Sequence, residues 1–150
     1  MIGMSVQDVT VIDASNLILG RLASIVAKRL LAGERIIVVN AEKAVISGNE
    51  KSIREDAMKR LEIRTLGSKT KSPKHPRRPD GLVRKTIRGM LPWDKSKGRE
   101  AYKMLKVYIG IPGSLKETSL QTLPEASFTN VKTAIMSVGD VAKSIGWNPS

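Results

Sequence analysis

From Lys69 to Arg88 the chain sets Lys69, Lys71, Lys74, Arg77, Arg78, Arg84, Lys85 and Arg88 around one acid, Asp80, with His75 among them. Side chains of this type at this density do one kind of chemistry well, which is to bind phosphate. Each phosphate neutralised by a Lys or Arg releases condensed counterions, so several contacts together give tight, salt-sensitive binding. The guanidinium forks of Arg77, Arg78, Arg84 and Arg88 also match phosphate oxygens two at a time. A solvated loop and a membrane-surface patch are the bland alternatives, and for any one lysine solvation is an adequate account. The distribution of charge argues against both for the group. Residues 59–106 hold 16 Lys or Arg against 4 Asp or Glu, while the rest of the chain holds 10 of each. The whole formal charge of +12 therefore comes from one middle stretch, and such a concentration implies a polyanionic partner, nucleic acid first.

Other constellations are weak. His75 is the sole histidine, lies between Lys74 and Pro76, and has no cysteine to pair with, so a catalytic role is disfavoured. The stretch DASNLILGRLAS follows a strand pattern and opens a helix, a position where α/β folds bind phosphate, yet it has neither G-x-G-x-x-G nor G-x-x-x-x-G-K-[ST]. Gly20 is read there as permitting close packing, and Arg21 as serving either an RNA phosphate or a surface ion pair. Asp8, Asp13, Glu42 and Glu50 are scattered without metal-ligand spacing, so neither metal nor cofactor is expected. The lack of cysteine excludes disulfides and thiolate chemistry and fits a reducing compartment. No apolar run approaches the roughly 20 residues of a membrane span. The opening MIGMSVQDVT, in which Met1 and Met4 are both candidate starts, lacks the pattern of a signal peptide. A soluble cytoplasmic protein is expected, with no membrane partner and no small-molecule substrate. Only Trp93, Tyr102, Tyr108, Phe128 and Trp147 are aromatic, too few for a sheet that reads single-stranded bases by stacking.

The elements that must position the cations follow from periodicity. VTVID (9–13) has strand composition, and Ser15 or Asn16 opens a turn before LILGRLASIVAKRLLAG. Leu22, Ile25, Val26, Arg29 and Leu30 there sit at helical spacing and Gly33 is placed as the stop. RIIVVNA (35–41) is a continuous β-branched run suited to a buried strand, which completes a βαβ unit with a parallel sheet. A second helix is predicted after Asn49, with Ile53, Ala57, Met58 and Leu61 as its apolar stripe and Gly67 as its stop.

Residues 68–79 contain Pro73, Pro76 and Pro79 and read as an extended basic arm. Its removal is expected to leave the core folded. Asp80 is placed to cap GLVRKTIRGML, with Val83, Ile87 and Met90 or Leu91 inward and Arg84, Lys85 and Arg88 outward, and Pro92 ends that helix. A short helix after Ser96 puts Ala101, Met104 and Leu105 inward and Arg99, Lys103 and Lys106 outward. LKVYIG (105–110) is a further strand, and Ser137 caps a last helix, VGDVAKSI. Val11, Ile25, Ile37, Val39, Leu61 and Val107 are expected to do nothing beyond packing.

RKTIRGMLPWDKSKGREAYKMLKVYIGIP resembles the signature of the large-subunit ribosomal protein thirteen family (universal L-thirteen), in its R-G-M-L-P, K-G and L-K-V-Y-x-G-I-P elements. VIDASNLILGRLASIVAKRLLAGERIIVVNAEKAVISGN is similar to the opening of the same family. The match runs over about residues 8 to 112. HPRRP, KTIRG and GIP look like the archaeal and eukaryotic branch, and Ser114, Leu115 and Lys116 stand where the bacterial branch usually carries histidines. The resemblance implies a three-layer α/β/α fold with a short, mostly parallel sheet, bound to large-subunit rRNA and acting in architecture and assembly rather than catalysis. Residues 1–150 would form one α/β domain, with a basic insertion at about 67–106 and an irregular extension at about 111–150 that meets neighbouring ribosomal proteins. Carried over by position, Lys74 to Arg88, the Arg88 to Pro92 turn, and Lys95, Lys97 and Arg99 would face rRNA. An RNA-modifying or nucleotide-using enzyme and a free-standing translational regulator are the rival readings, the first wanting a glycine loop or polar catalytic cluster that the sequence lacks.

Overall fold

In the computed structural model, which describes residues 9–130 and 132–149, a three-stranded parallel sheet is formed by β1 (Val9–Asp13), β2 (Arg35–Val39) and β4 (Leu105–Val107), with β2 in the centre. α1 (Leu19–Leu31) makes the crossover between β1 and β2, as a parallel pair requires. The register pairs Ile12 with Val38 and Val38 with Val107. The alternation of strand side chains thus puts Ile12, Ile36, Val38, Leu105 and Val107 on one face. That face joins Leu22, Val26 and Leu30 of α1, Val83 and Ile87 of α3 (Pro79–Gly89), and Ala101 of α4 (Ser96–Lys103) in one buried cluster. The fold is α/β, with a mostly parallel sheet.

A second, antiparallel pair joins β3 (Val45–Ser47) to β5 (Ile135–Ser137), and α2 (Glu50–Glu62) and α5 (Val138–Ser144) follow these strands directly. Neither strand is legible in the sequence, because three residues are too few to show a period. The helix caps were more legible. The Asn49 side chain accepts from the backbone N–H of Lys51, and Ser137 Oγ accepts from that of Asp140. Gly33 sits at φ +98°, where a stop needs glycine.

Several expectations are corrected. α1 opens at Leu19 without a side-chain cap, and Gly20 is exposed with open space around it, so close packing is not its role. α2 ends at Glu62 rather than at Gly67. Ile63 turns extended, and nothing in α2 is buried: Ile53, Ala57 and Leu61 are half-covered and Met58 is 44% exposed. α3 starts one residue before Asp80, with Arg78 at the cap and Pro79 at its first position, where proline's missing donor costs nothing. Met90 is exposed and Leu91 is the buried member of that pair. The strand expected at 105–110 is β4, three residues long rather than six, and Ile25 and Ile37 are only half-buried. Pro79 is fully buried, so a deletion of 68–79 would cut into α3, and a cut that spares the core must end before Pro79. Asp8 and the rest of residues 1–8 lie outside the described residues.

Candidate nucleic-acid interface

α3 turns the middle stretch into a cationic face. Val83 and Ile87, four residues apart, are fully buried against the sheet and α1, which leaves Arg84, Lys85 and Arg88 exposed on the outer side. After Leu91 the chain turns at Pro92, and α4 packs onto that turn through Gly98. A Cβ at position 98 would lie 2.1 Å from the Pro92 carbonyl oxygen, so only glycine allows the approach. The approach brings Trp93 and Tyr102 into an edge-to-face pair with centroids 5.3 Å apart. Two guanidiniums lie over these rings: Arg88 Cζ is 4.0 Å from the Trp93 centroid and Arg84 Cζ 5.2 Å from that of Tyr102. A guanidinium held over a ring keeps the N–H groups that point away from it free to donate. The two arginines four residues apart therefore present ordered forks, with the partly exposed Met90 and Trp93 beside them.

The other flank of α3 carries Lys85, whose Nζ donates to His75 Nδ1 of the arm. Burial, then the charges of Lys85 and Arg60, hold the His75 imidazole below its ordinary value, and burial with Arg60 and Arg88 lowers the Lys85 ammonium. The arm is pinned here rather than fully extended. Pro76 lies against α3 so closely that a Cβ at Gly81 would meet it at 2.7 Å. The Arg77 guanidinium lies 3.1 Å from where a Cβ would stand at Gly146, which has φ +112°.

Of the other expected cations, Lys71, Lys74, Arg77 and Arg78 of the arm and Lys95, Lys97, Arg99 and Lys103 around α4 are all at least partly exposed, while the side chain of Lys69 lies outside the described residues. Among the described residues, Arg78 alone of this group makes an ion pair, to Asp80 at 3.4 Å, and at such exposure the pair contributes little. Lys106 is a correction: it lies on β4, not on the α4 helix, and the alternation of that strand points it to the sheet face away from the helices. Arg21 is exposed on the first turn of α1, apart from the α3 cluster. The sequence reading missed Arg60, Trp93 and Tyr102. The signal for the aromatics was present in their rarity, but the pairing of Arg88 with Trp93 crosses a turn and that of Arg84 with Tyr102 crosses between helices.

At the carboxyl ends of the parallel strands, where open α/β sheets hold ligands, the chain folds a turn over the end of β2. This turn, Ala41–Lys43, is tied to the chain just after β4 by the Asn40 and Ala41 N–H groups, which donate to the carbonyls of Gly110 and Tyr108, and a groove of about 850 Å³ remains beside it, lined by Glu42, Ile109, Asp140 and Lys143 among others. Glu42 Oε2 accepts from the Gly110 N–H at 3.0 Å. Asn40, 5% exposed and in the left-handed region at φ 57°, donates from its side chain to Asp13 Oδ1 at 3.0 Å. Burial alone would raise the Asp13 carboxyl, but the hydrogen bonds from Asn40 and Ser15 and the charge of Lys43 together hold it below the usual value. Among the described residues no three His, Asp or Glu gather as a metal site, and no helix is long and apolar enough to cross a membrane.

The profile of the Ribosomal protein L13 family matches residues 7–114. Over 144 residues the chain is 42% identical to the large ribosomal subunit protein uL13 of Methanopyrus kandleri, a match covering 94% of this chain and 89% of that one. The protein of the same name from Archaeoglobus fulgidus is 44% identical, covering 94% and 90%. That of Methanosarcina barkeri is 46% identical, covering 91% and 97%. These relatives are archaeal, the branch to which HPRRP, KTIRG and GIP pointed. With most of its length matched by the family profile and by relatives at this identity, the chain belongs to the ribosomal protein L13 family.

Proposed function

We propose that this chain is a structural constituent of the large ribosomal subunit that binds its rRNA through the arm and the outer faces of α3 and α4, and so supports subunit assembly and translation in the cytoplasm. The observation that carries the reading is the set of exposed cations with so little internal compensation: a cation already paired to a carboxylate has less to gain from a phosphate. Arg84 and Arg88 grip backbone phosphates from their aromatic rests. Lys71, Lys74, Arg77 and Arg78 follow the strand along the arm, with Lys69 beside them, and Lys95, Lys97, Arg99 and Lys103 extend the contact over α4. Lys106 and Arg21 stand apart from this face and would meet other parts of the RNA. Residues 111–150 bury Leu123, Ala126 and Val138 in the core and carry no net charge, three lysines against three acids, so their outer surface would face neighbouring subunit proteins. The lack of a phosphate-binding glycine loop after β1 supports an architectural role over a nucleotide-using enzyme.

The test is detection of the protein across a sucrose gradient of cell lysate at low and high salt. Co-sedimentation with the large subunit that survives the high-salt wash is the expected outcome. Recovery at the top of the gradient, or release at modest salt, would instead favour a free-standing regulator.

A further inference from the structure

Three basic groups from three separate elements line one groove of about 460 Å³ between α2, α3 and α5: Arg60 near the end of α2, His75 of the arm and Lys85 of α3. None of them makes an ion pair among the described residues, although Asp56 lines the same groove. Since Lys85 can only donate, the contact between its Nζ and His75 Nδ1 requires the neutral imidazole with Nδ1 as acceptor and the hydrogen on Nε2. That Nε2 is shielded from solvent and has no partner, so the free arrangement leaves one donor unsatisfied, a costly state in a buried position. Two cations, Arg60 and Lys85, that repel each other across one groove, with an idle donor beside them, describe a site waiting for an anion.

We propose that Arg60, His75 and Lys85 form a binding site for one phosphate of the RNA backbone, and that filling it protonates His75, so that the chain takes up a proton as it binds RNA. The proposal rests on the rRNA-binding reading above and adds to it a specific pocket and a pH dependence. A phosphate that accepts from Lys85 Nζ and from the shielded Nε2–H draws the lysine off Nδ1, and the negative charge beside the ring then favours a hydrogen on both nitrogens over either neutral tautomer. The proton comes from solvent. The charged groups around the imidazole are Arg60 and Asp56 on α2, Lys85 on α3, whose own charge feels Arg88, and Lys74 and Arg77 beside it on the arm. The wall supplied by α5 is apolar, through Val138, Val141 and Ile145. In the free chain burial and the neighbouring cations hold His75 neutral, and a bound anion reverses the balance of charge.

Because His75 is the only histidine, its imidazole gives one unambiguous proton NMR resonance. Its titration is to be followed in the free chain, with a short large-subunit rRNA hairpin, and with sulfate, which stays dianionic across the range. The expected result is a free-state midpoint below the ordinary histidine value of about 6.5 that rises on RNA binding. Hairpin affinity at constant salt should increase as pH falls between the bound and free midpoints, by at most about tenfold per unit for a single proton. H75Q should remove this dependence while still binding at pH 8. K85Q should raise the free-state midpoint, by removing repulsion, yet abolish the further rise with RNA. A sulfate response shows that the pocket takes any tetrahedral oxyanion, and its absence beside an RNA response confines the site to a backbone phosphate; both support the site. A chain that binds the hairpin with an unmoved His75 titration overturns this proposal alone, whereas a chain that fails to bind rRNA at any pH overturns the functional reading with it.

Discussion

α2 and α3 are helices of similar length, both rich in cations, yet they are held in different ways. α3 drives Val83 and Ile87 fully into the core, starts on the buried Pro79 and stacks its arginines on Trp93 and Tyr102. α2 buries no residue, covers Ile53, Ala57 and Leu61 only by half, and leaves Ile63 54% and Leu66 105% exposed at and beyond its end. Its acids and bases are also balanced, with Arg54 paired to Glu50 within the helix. The difference teaches that charge alone does not make an interface. α3 offers cations on a frame that the core fixes, so little ordering is left to do on binding, while α2 contributes its one well-placed cation, Arg60, only where the arm meets it.

The comparison breaks most sharply in the core. Ile87→Ala should cost about 2–5 kcal/mol of stability, because the sheet and α1 close around the side chain and the space refills only in part. Leu61→Ala should cost clearly less, since half of the side chain already meets solvent. Urea unfolding of both variants checks the difference, and equal losses would place α2 in the core after all. Gly98→Ala comes next. A methyl group 2.1 Å from the Pro92 carbonyl oxygen forces α4 off the turn, at a cost of about 1–3 kcal/mol for overpacking. The displacement should also part Trp93 from Tyr102, and a change in tryptophan fluorescence would report it.

These cases show what could be read from residue order and what could not. The inward face of α3 was legible because Val83 and Ile87 repeat at helical spacing, and Asn49 and Ser137 were legible as caps because their side chains act within two or three residues. Family membership was legible because R-G-M-L-P and L-K-V-Y-x-G-I-P are long and co-linear. The antiparallel pair escaped because its strands join residues 45–47 to 135–137. Lys106 was misread because a strand and the continuation of α4 both leave it exposed, and only pairing to β2 tells them apart. The site was legible as a list of cations but not as two clusters. Arg84 and Arg88 on their rings, and Lys85 with His75 and Arg60, are contacts between elements distant in sequence.

Charge placement provides the third test. Replacing Arg84 and Arg88 together by Gln leaves Val83 and Ile87 untouched and removes two exposed cation–π contacts, each worth about 0.5–1 kcal/mol, so unfolding should change by about 1–2 kcal/mol at most. Binding to an rRNA transcript should weaken, and the slope of log K against log salt should fall by about two phosphate equivalents, each worth roughly 0.9 on double-helical nucleic acid. The same double change on α2, Lys51 and Arg54 to Gln, should leave the slope almost unaltered. Equal slopes for the two doubles would mean that cations count by number and that the fixed frame of α3 adds nothing.

The smallest effect is expected at the start of α1, where glycine and a following arginine occupy the position of a phosphate loop. Gly20 lies inside the helix, exposed, outside the left-handed region and with no atom within 4 Å of the place a methyl group would take. Alanine there reduces the freedom of the unfolded chain without meeting a neighbour, so Gly20→Ala should raise stability by about 0.5–1 kcal/mol. RNA affinity and its salt slope should not move. A loss of RNA binding in a variant that is more stable would show that a backbone approaches this turn closely, and would extend the interface from α3 to the far end of α1, next to Arg21.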